Sequence, residues 1–283
     1  MGTPVDASRV LRTIHNAGHE VVLVVTQPDR KRGRTNKLIP TPVKAVAEEL
    51  GLAVTHKMKD VMDTDADADA GVIVQFGRLI KEPVLSRLTW LNLHPSLLPR
   101  WRGASPVESA ILAGDIETGV CVMGIEEGFD TGPVYKLHKT TIGENETSTE
   151  LSKRLFDKGA ELLVETLNEG IGTPTPQSGD ATYSEKFNPD SFRIDFSISA
   201  EKINRVIRLG RAWTTLDGNR FRILEARVGQ DATNLEPGQL SGTQVGAGKG
   251  ELTLVSVQPQ NKAPMSAQAW LNGARLSGEP RFI

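Results

Sequence analysis

Apolar positions change rhythm along this chain, and the changes mark its elements. Over residues 5–17, Val10, Leu11, Ile14 and Ala17 recur at helical spacing, with Gly18 as a stop. "VVLVVT" (21–26) then runs without a polar break, which predicts a strand covered on both faces in a parallel sheet. "TPVKAVAEEL" predicts a helix that opens on proline and ends at Gly51. "AGVIVQ" (70–75) and "LTWLNLH" (88–94) predict two more strands, and "VESAILAG" (107–114) a helix. "GVCVMGI" (119–125) and "GPVYKLH" (132–138) predict a strand pair joined through "EEGFDT". Thr147 and Glu150 have capping-box spacing ahead of Leu151, Leu155, Leu162 and Leu163, and Gly170 closes that helix. Alternation of this kind predicts an α/β fold: an open, mostly parallel, Rossmann-like sheet covered by helices.

The rhythm changes after "GTPTPQSGDATYSEKFNPDS" (172–191), whose Pro, Gly, Ser and Thr read as a linker. "FRIDFS" is strand-like, and "SAEKINRVIRLG" is one helix carrying Ile203, Val206, Ile207 and Leu209. "RFRILEARV" and "GELTLVSVQ" are strands among glycine-rich turns, so the end of the chain predicts a smaller, OB-like β-barrel. The expected division is a catalytic domain over 1–171, a linker over 172–191 and a β-rich domain over 192–283. A doubly wound sheet normally starts on a strand, yet this chain opens with a loop and a helix. Its first strand is therefore expected to be missing, which would leave backbone groups unpaired on two neighbours. The acidic "DTDADADA" (63–70) reads as a solvated turn.

Composition narrows the function classes. A chain of 283 residues suits a large domain plus a small one, and a net charge of −2 gives no general attraction to nucleic acid. The single cysteine, Cys121, excludes an internal disulfide framework and a multi-cysteine zinc site, and no metal is expected. No apolar run approaches the roughly 18 residues of a membrane span, and no export signal is evident, so a cytoplasmic location is expected. There is neither a G-x-S-x-G nucleophile turn nor a phosphate-cradling loop; "GAGKGE" (246–251) reads as a hairpin turn.

In open α/β sheets, ligands sit at the carboxyl ends of the strands. Asn92 and His94 close the strand beginning near Leu88, and period-two alternation puts both on one face. Asp130, in the glycine-flanked "EEGFDTGP", returns toward the same rim. The three suit acyl transfer to an amine: His94 exchanges a proton, Asp130 holds the imidazole, and Asn92 steadies the oxyanion. A lone strand-end histidine is more often structural, and Asp before Thr-Gly is an ordinary turn former, so residue types alone leave both readings open.

"LNLHPSLLPRWRGASP", "ETGVCVMGIEEGFDTGPVY" and "TQPDRKRGRTNKLIPTPVK" together resemble the methionyl-tRNA formyltransferase family. "RIDFS" and "KAPMSAQAWLNGAR" extend the resemblance almost to the C-terminus. It implies formyl transfer from 10-formyltetrahydrofolate to the α-amine of methionyl initiator tRNA by a monomer, with Asn92, His94 and Asp130 as the catalytic trio. Ser96, Leu97, Leu98 and Pro99 then match the folate-binding loop. Arg30, Lys31, Arg32, Arg34 and Lys37, with Lys44, form a local cationic patch against Asp29 on a mobile loop. The resemblance sends that loop to the acceptor end of tRNA, with Arg34 at a critical position. Arg205, Arg208 and Arg211 recur every three residues, as either a basic stripe or a solvated helix face. Here "RLGRA" departs from the Asn-Pro-Trp-Pro-like turn of the family. The Asn-x-His-x-Ser-Leu-Leu-Pro core is shared by other folate-dependent formyltransferases. A sugar-nucleotide amine remains an alternative acceptor, and an inactive tRNA- or folate-binding relic an alternative role. A glycinamide ribonucleotide transformylase fits less well, because it lacks a second domain.

Overall fold

The computed structural model describes residues 1–32, 36–63, 68–229, 233–276 and 278–283, without the side chain of Arg32. Two compact units emerge: residues 1–106, 117–141 and 152–184 in one, and 107–116, 142–151 and 185–283 in the other. The elements up to residue 184 are α1 (Val5–Asn16), β1 (Val24–Val25), β2 (Arg30–Arg32), β3 (Lys37–Ile39), α2 (Pro42–Glu49), β4 (Val54–Thr55), α3 (Lys59–Met62), β5 (Ala70–Ile73), α4 (Val84–Arg87), β6 (Thr89–His94), β7 (Arg102–Gly103), α5 (Pro106–Ala113), β8 (Glu117–Gly124), β9 (Val134–Thr141), α6 (Ser148–Asn168) and β10 (Tyr183–Ser184).

Helix signals in the sequence act as read. Thr41 caps α2 by accepting from the Lys44 amide at 3.1 Å, with Pro42 in the first turn. The Thr147 amide donates to Glu150 at 2.9 Å while the Glu150 amide donates back to Thr147 Oγ1, a capping box at the start of α6. This bonding holds the Glu150 carboxyl below its ordinary value.

The first unit carries a sheet of order β5-β6-β8-β9, parallel between β5 and β6 and antiparallel from there on. Leu91, Leu93, Val120 and Val122 of β6 and β8 are at most 2% exposed. Each such burial is worth roughly 1.5–3 kcal/mol. Gly159 lets α6 lie against them, because a methyl there would stand 2.8 Å from Val120.

The other side of this unit is less complete. Only Val24 and Val25 of the "VVLVVT" run are laddered, in parallel with β4, whereas a full strand was expected. Met1 and Gly2 link β1 to β5: the Gly2 amide donates to Val25 O, the Val74 amide to Met1 O, and the Met1 ammonium to Val72 O. Beside them lies a cavity of about 300 Å³, lined by Val22, Val24, Val72, Val10, Leu11 and Ile14 among others.

The second unit adds a 3-10 turn (Pro189–Phe192), α7 (Ala200–Arg208), β11 (Trp213–Leu216), β12 (Asn219–Val228), β13 (Leu240–Ser241), β14 (Gln244–Gly246), β15 (Glu251–Pro259), β16 (Met265–Ser266) and α8 (Ala267–Gly273). Its curled antiparallel sheet runs β11-β12-β15-β14-β13, with β16 on β15. Bridges from Phe282 to Leu216 and from Arg281 to Gln239 lay the tail between the two edge strands and close the half-barrel. Phe282 is 2% exposed and stacks on Phe196 at 5.7 Å, which anchors that closure. "GAGKGE" is the β14–β15 turn, as expected. "FRIDFS" is not a laddered strand: Phe192, Ile194 and Phe196 alternate inward, but its one bridge is Arg193 to Trp213. Alternation reports which side chains are buried, and hydrogen-bond partners have to come from elsewhere.

Candidate active site

Strand β6 sets the site. Leu91 and Leu93 point one way into the core, so Trp90, Asn92 and His94 share the other face. Trp90 is buried and donates its indole N–H to Val84 O at 3.0 Å, which fixes the strand's start. Asn92 is half-buried, and its side-chain amide has no hydrogen-bond partner among the described residues. His94, beside Cys121 of β8 in the ladder, is only 4% exposed.

Both imidazole nitrogens of His94 face protein. Nε2 lies 2.8 Å from the Trp101 carbonyl, which can only accept, so the ring's proton resides on Nε2. Nδ1, left with its lone pair, faces Asp130 Oδ2 at 3.6 Å. Burial pushes the His94 pKa down from its ordinary value; the Asp130 charge and the Trp101 carbonyl pull the other way and do not prevail. Burial thus favours the neutral ring, which in this tautomer can take a proton on Nδ1, where the carboxylate would receive the charge.

The segment after His94 doubles back as a tight turn. Ser96, fully buried, donates its hydroxyl to Arg100 O at 2.6 Å, and the Arg100 amide donates to Leu97 O at 3.0 Å. Leu97, Leu98 and Pro99 are half-buried, with a cis peptide before Pro99. The Leu98 amide is turned toward the buried Cys121 sulfur, and the Leu97 amide has no partner among the described residues. Gly119 seats the turn: a methyl there would meet Leu97 at 2.5 Å and His138 O at 2.3 Å. Glycine at that position was a signal the sequence carried but left without meaning.

Asp130 sits in the left-handed region at φ 52, and the Gly103 amide donates to its Oδ2 at 2.8 Å. The stretch that reads as a linker contributes here. Tyr183 and Ser184 pair in parallel with Arg102 and Gly103, and the Trp101 amide donates to Thr182 Oγ1 at 2.9 Å. Residues 172–184 therefore form a strap on the first unit.

The cationic segment is a paired hairpin rather than a free loop: Arg30 faces Ile39, Lys31 faces Leu38 and Arg32 faces Lys37. Arg30, Lys31 and Lys37 are exposed, and so are Leu38 and Ile39. Lys44 is committed elsewhere, 2.8 Å from Asp29. Arg34 lies outside the described residues. The C-terminal arginines, which read as either a basic stripe or a solvated helix face, are engaged within their own unit. Arg205 donates to Ala113 O at 3.2 Å, Arg208 to Glu146 O and Gly143 O at 2.8 and 2.9 Å, and Arg211 lies over Phe192 at 5.4 Å. Guanidinium donors that reach main-chain carbonyls serve as struts, a use that residue spacing alone does not reveal.

Asn92 and His94 share one face of β6, and Asp130 lies 3.6 Å from the imidazole, on an α/β sheet followed in the chain by a half-barrel. The formyl transferase model matches residues 1–167 and the formyl transferase C-terminal domain model residues 186–275, so the chain belongs to the formyl transferase family. The chain is 42% identical to a methionyl-tRNA formyltransferase of Cereibacter sphaeroides, over 98% of its own length and 95% of that protein's. Among solved structures it is similar to an N-formyltransferase from Helicobacter canadensis, in complex with folinic acid and dTDP-3-aminofucose. That likeness has a TM-score of 0.67 and 16% identity, and covers 89% of this chain and 97% of the other. HypX from Aquifex aeolicus in complex with tetrahydrofolic acid gives a TM-score of 0.60 at 16% identity, over 79% of this chain, which spans 43% of that longer protein. Both structural likenesses speak to the fold alone.

Proposed function

We propose that this enzyme transfers the formyl group of 10-formyltetrahydrofolate to the α-amine of methionyl initiator tRNA, yielding N-formylmethionyl-tRNA. The observation that carries the reading is the convergence of His94 Nδ1 and the Asp130 carboxylate at 3.6 Å in a chain 42% identical to a methionyl-tRNA formyltransferase. The folate supplies an activated formyl carbon when bound. The Ser96–Pro99 turn fits it, with apolar side chains beside the unpartnered Leu97 amide as a donor for the edge of a flat ring.

The amine nitrogen forms a bond to the formyl carbon, the bond from that carbon to the folate nitrogen breaks, and one proton passes from incoming to leaving nitrogen. Asn92 donates its unengaged amide to the oxyanion. The His94–Asp130 pair takes the amine's proton on Nδ1 and returns it to the departing nitrogen, with Trp101 O holding the ring in the required tautomer. An α-amine, with a pKa near ~7.7–8.0, is already partly neutral at physiological pH, so a weak base suffices. Arg30, Lys31 and Lys37 are proposed to meet phosphates of the acceptor end, which gives affinity without sequence reading. The enzyme is expected to act as a cytoplasmic monomer, since initiator tRNA is met there.

The test is incubation of the protein with 10-formyltetrahydrofolate and either methionyl initiator tRNA or a nucleotide-linked amino sugar. N-formylmethionine from the tRNA alone supports the reading. Formylation of the sugar alone would reassign the acceptor, and neither product would leave a binding relic.

A further inference from the structure

Outside the trio, one side chain ties together three segments that surround His94 and Asp130. The Gln177 Nε2 group donates to Asp130 O at 2.8 Å and to Gly132 O at 2.7 Å. Its Oε1 accepts from Arg102 Nε at 3.1 Å and from Arg102 Nη2 at 2.7 Å. The amide orientation is unambiguous: two carbonyls demand the NH2 group and a guanidinium demands the oxygen. Arg102 stands between Trp101, whose carbonyl holds His94 Nε2, and Gly103, whose amide holds the Asp130 carboxylate. Gln177 thus fixes the main chain of Asp130 against the same segment that fixes its side chain and the imidazole.

We propose that Gln177 is a positioning residue for the His94–Asp130 pair. The need is physical. Asp130 holds a left-handed conformation, at φ 52, that an L-residue adopts at a cost, so something outside the residue must retain it. At 3.6 Å the carboxylate lies just beyond hydrogen-bond reach of Nδ1, so a shift of the loop by about an ångström decides whether it supports a charged ring. Other groups cannot substitute. The Cys121 thiol beside His94 is kept neutral by burial, which pushes its pKa up to about 11, and Arg102 is spent on Gln177 and the Tyr183 hydroxyl.

The role rests on the proposed formyl transfer, and its test is built to fail separately. Wild type, Gln177→Ala and Gln177→Glu are compared by histidine side-chain NMR titration without substrates, by thermal melting and by steady-state formylation. Both variants are expected to lose about 10- to 100-fold in kcat while KM for either substrate stays within about threefold. The His94 resonance should titrate at lower pH than in wild type, because the carboxylate that stabilises the charged ring has moved away. Gln177→Glu is the sharper arm. It strengthens the bridge to Arg102 yet sets oxygen against the two carbonyls, so it should be no better than alanine. A lowered melting temperature with unchanged His94 titration would overturn the proposal and leave a brace, and so would a glutamate variant with near-normal kcat. The NMR arm needs no formyl transfer, so a wild-type enzyme inert toward methionyl-tRNA would defeat the functional reading while this one is still decided.

Discussion

Two halves of the first unit's sheet solve the same problem with different success. On the β6–β8–β9 side every strand has its neighbour, and His94 is matched to Cys121 across the ladder. On the β1–β5 side two residues, Met1 and Gly2, bridge a cavity of about 300 Å³. The proposed chemistry stands on the complete half. The difference teaches that the site's geometry and the unit's stability draw on separate parts of the sheet, so they should respond to different perturbations.

The strongest break of this comparison would come from His94. Its replacement by alanine should slow formylation by roughly 10²–10⁴-fold, measured as kcat with saturating substrates. Asn92→Ala should cost roughly 3 kcal/mol of barrier, about a hundredfold or more. Its amide has no partner among the described residues, so unfolding free energy should stay within about 0.5 kcal/mol of wild type in a urea titration. Loss of stability without loss of rate would place Asn92 on the structural side.

The smallest effect belongs to the hairpin. Arg30→Ala or Lys31→Ala should each reduce the log–log salt dependence of tRNA binding by about one and leave folate binding unchanged.

Much of the site was legible because strand parity and turn chemistry are local. Asn92 and His94 share a face as a matter of period two, and the capping box at Thr147 is written in adjacent residues. What escaped depends on partners distant in sequence. Gln177 and Thr182 read as linker because their composition suits solvent, yet their partners are carbonyls and amides some 45 to 81 positions away. Trp101 O, which sets the imidazole tautomer, is a main-chain atom that no residue pattern advertises. Arg205 and Arg208 read as either a basic stripe or a solvated face, because spacing reveals charge and conceals acceptors. The shortened β1 shows the converse: a run of valines supplies apolar faces, and a ladder still requires a hydrogen-bonding neighbour in register.

Single-turnover formylation of methionyl initiator tRNA, followed from about pH 5.5 to 8.5 for wild type and Asp130→Asn, addresses the central claim most directly. Asparagine keeps an acceptor for the Gly103 amide and removes only the charge facing Nδ1. The account predicts N-formylmethionyl-tRNA from wild type, a rate that falls on the acid side, and a variant slower by roughly 10²-fold or more with its acid limb moved to lower pH. An Asp130→Asn enzyme that matches wild type in rate and profile would contradict it.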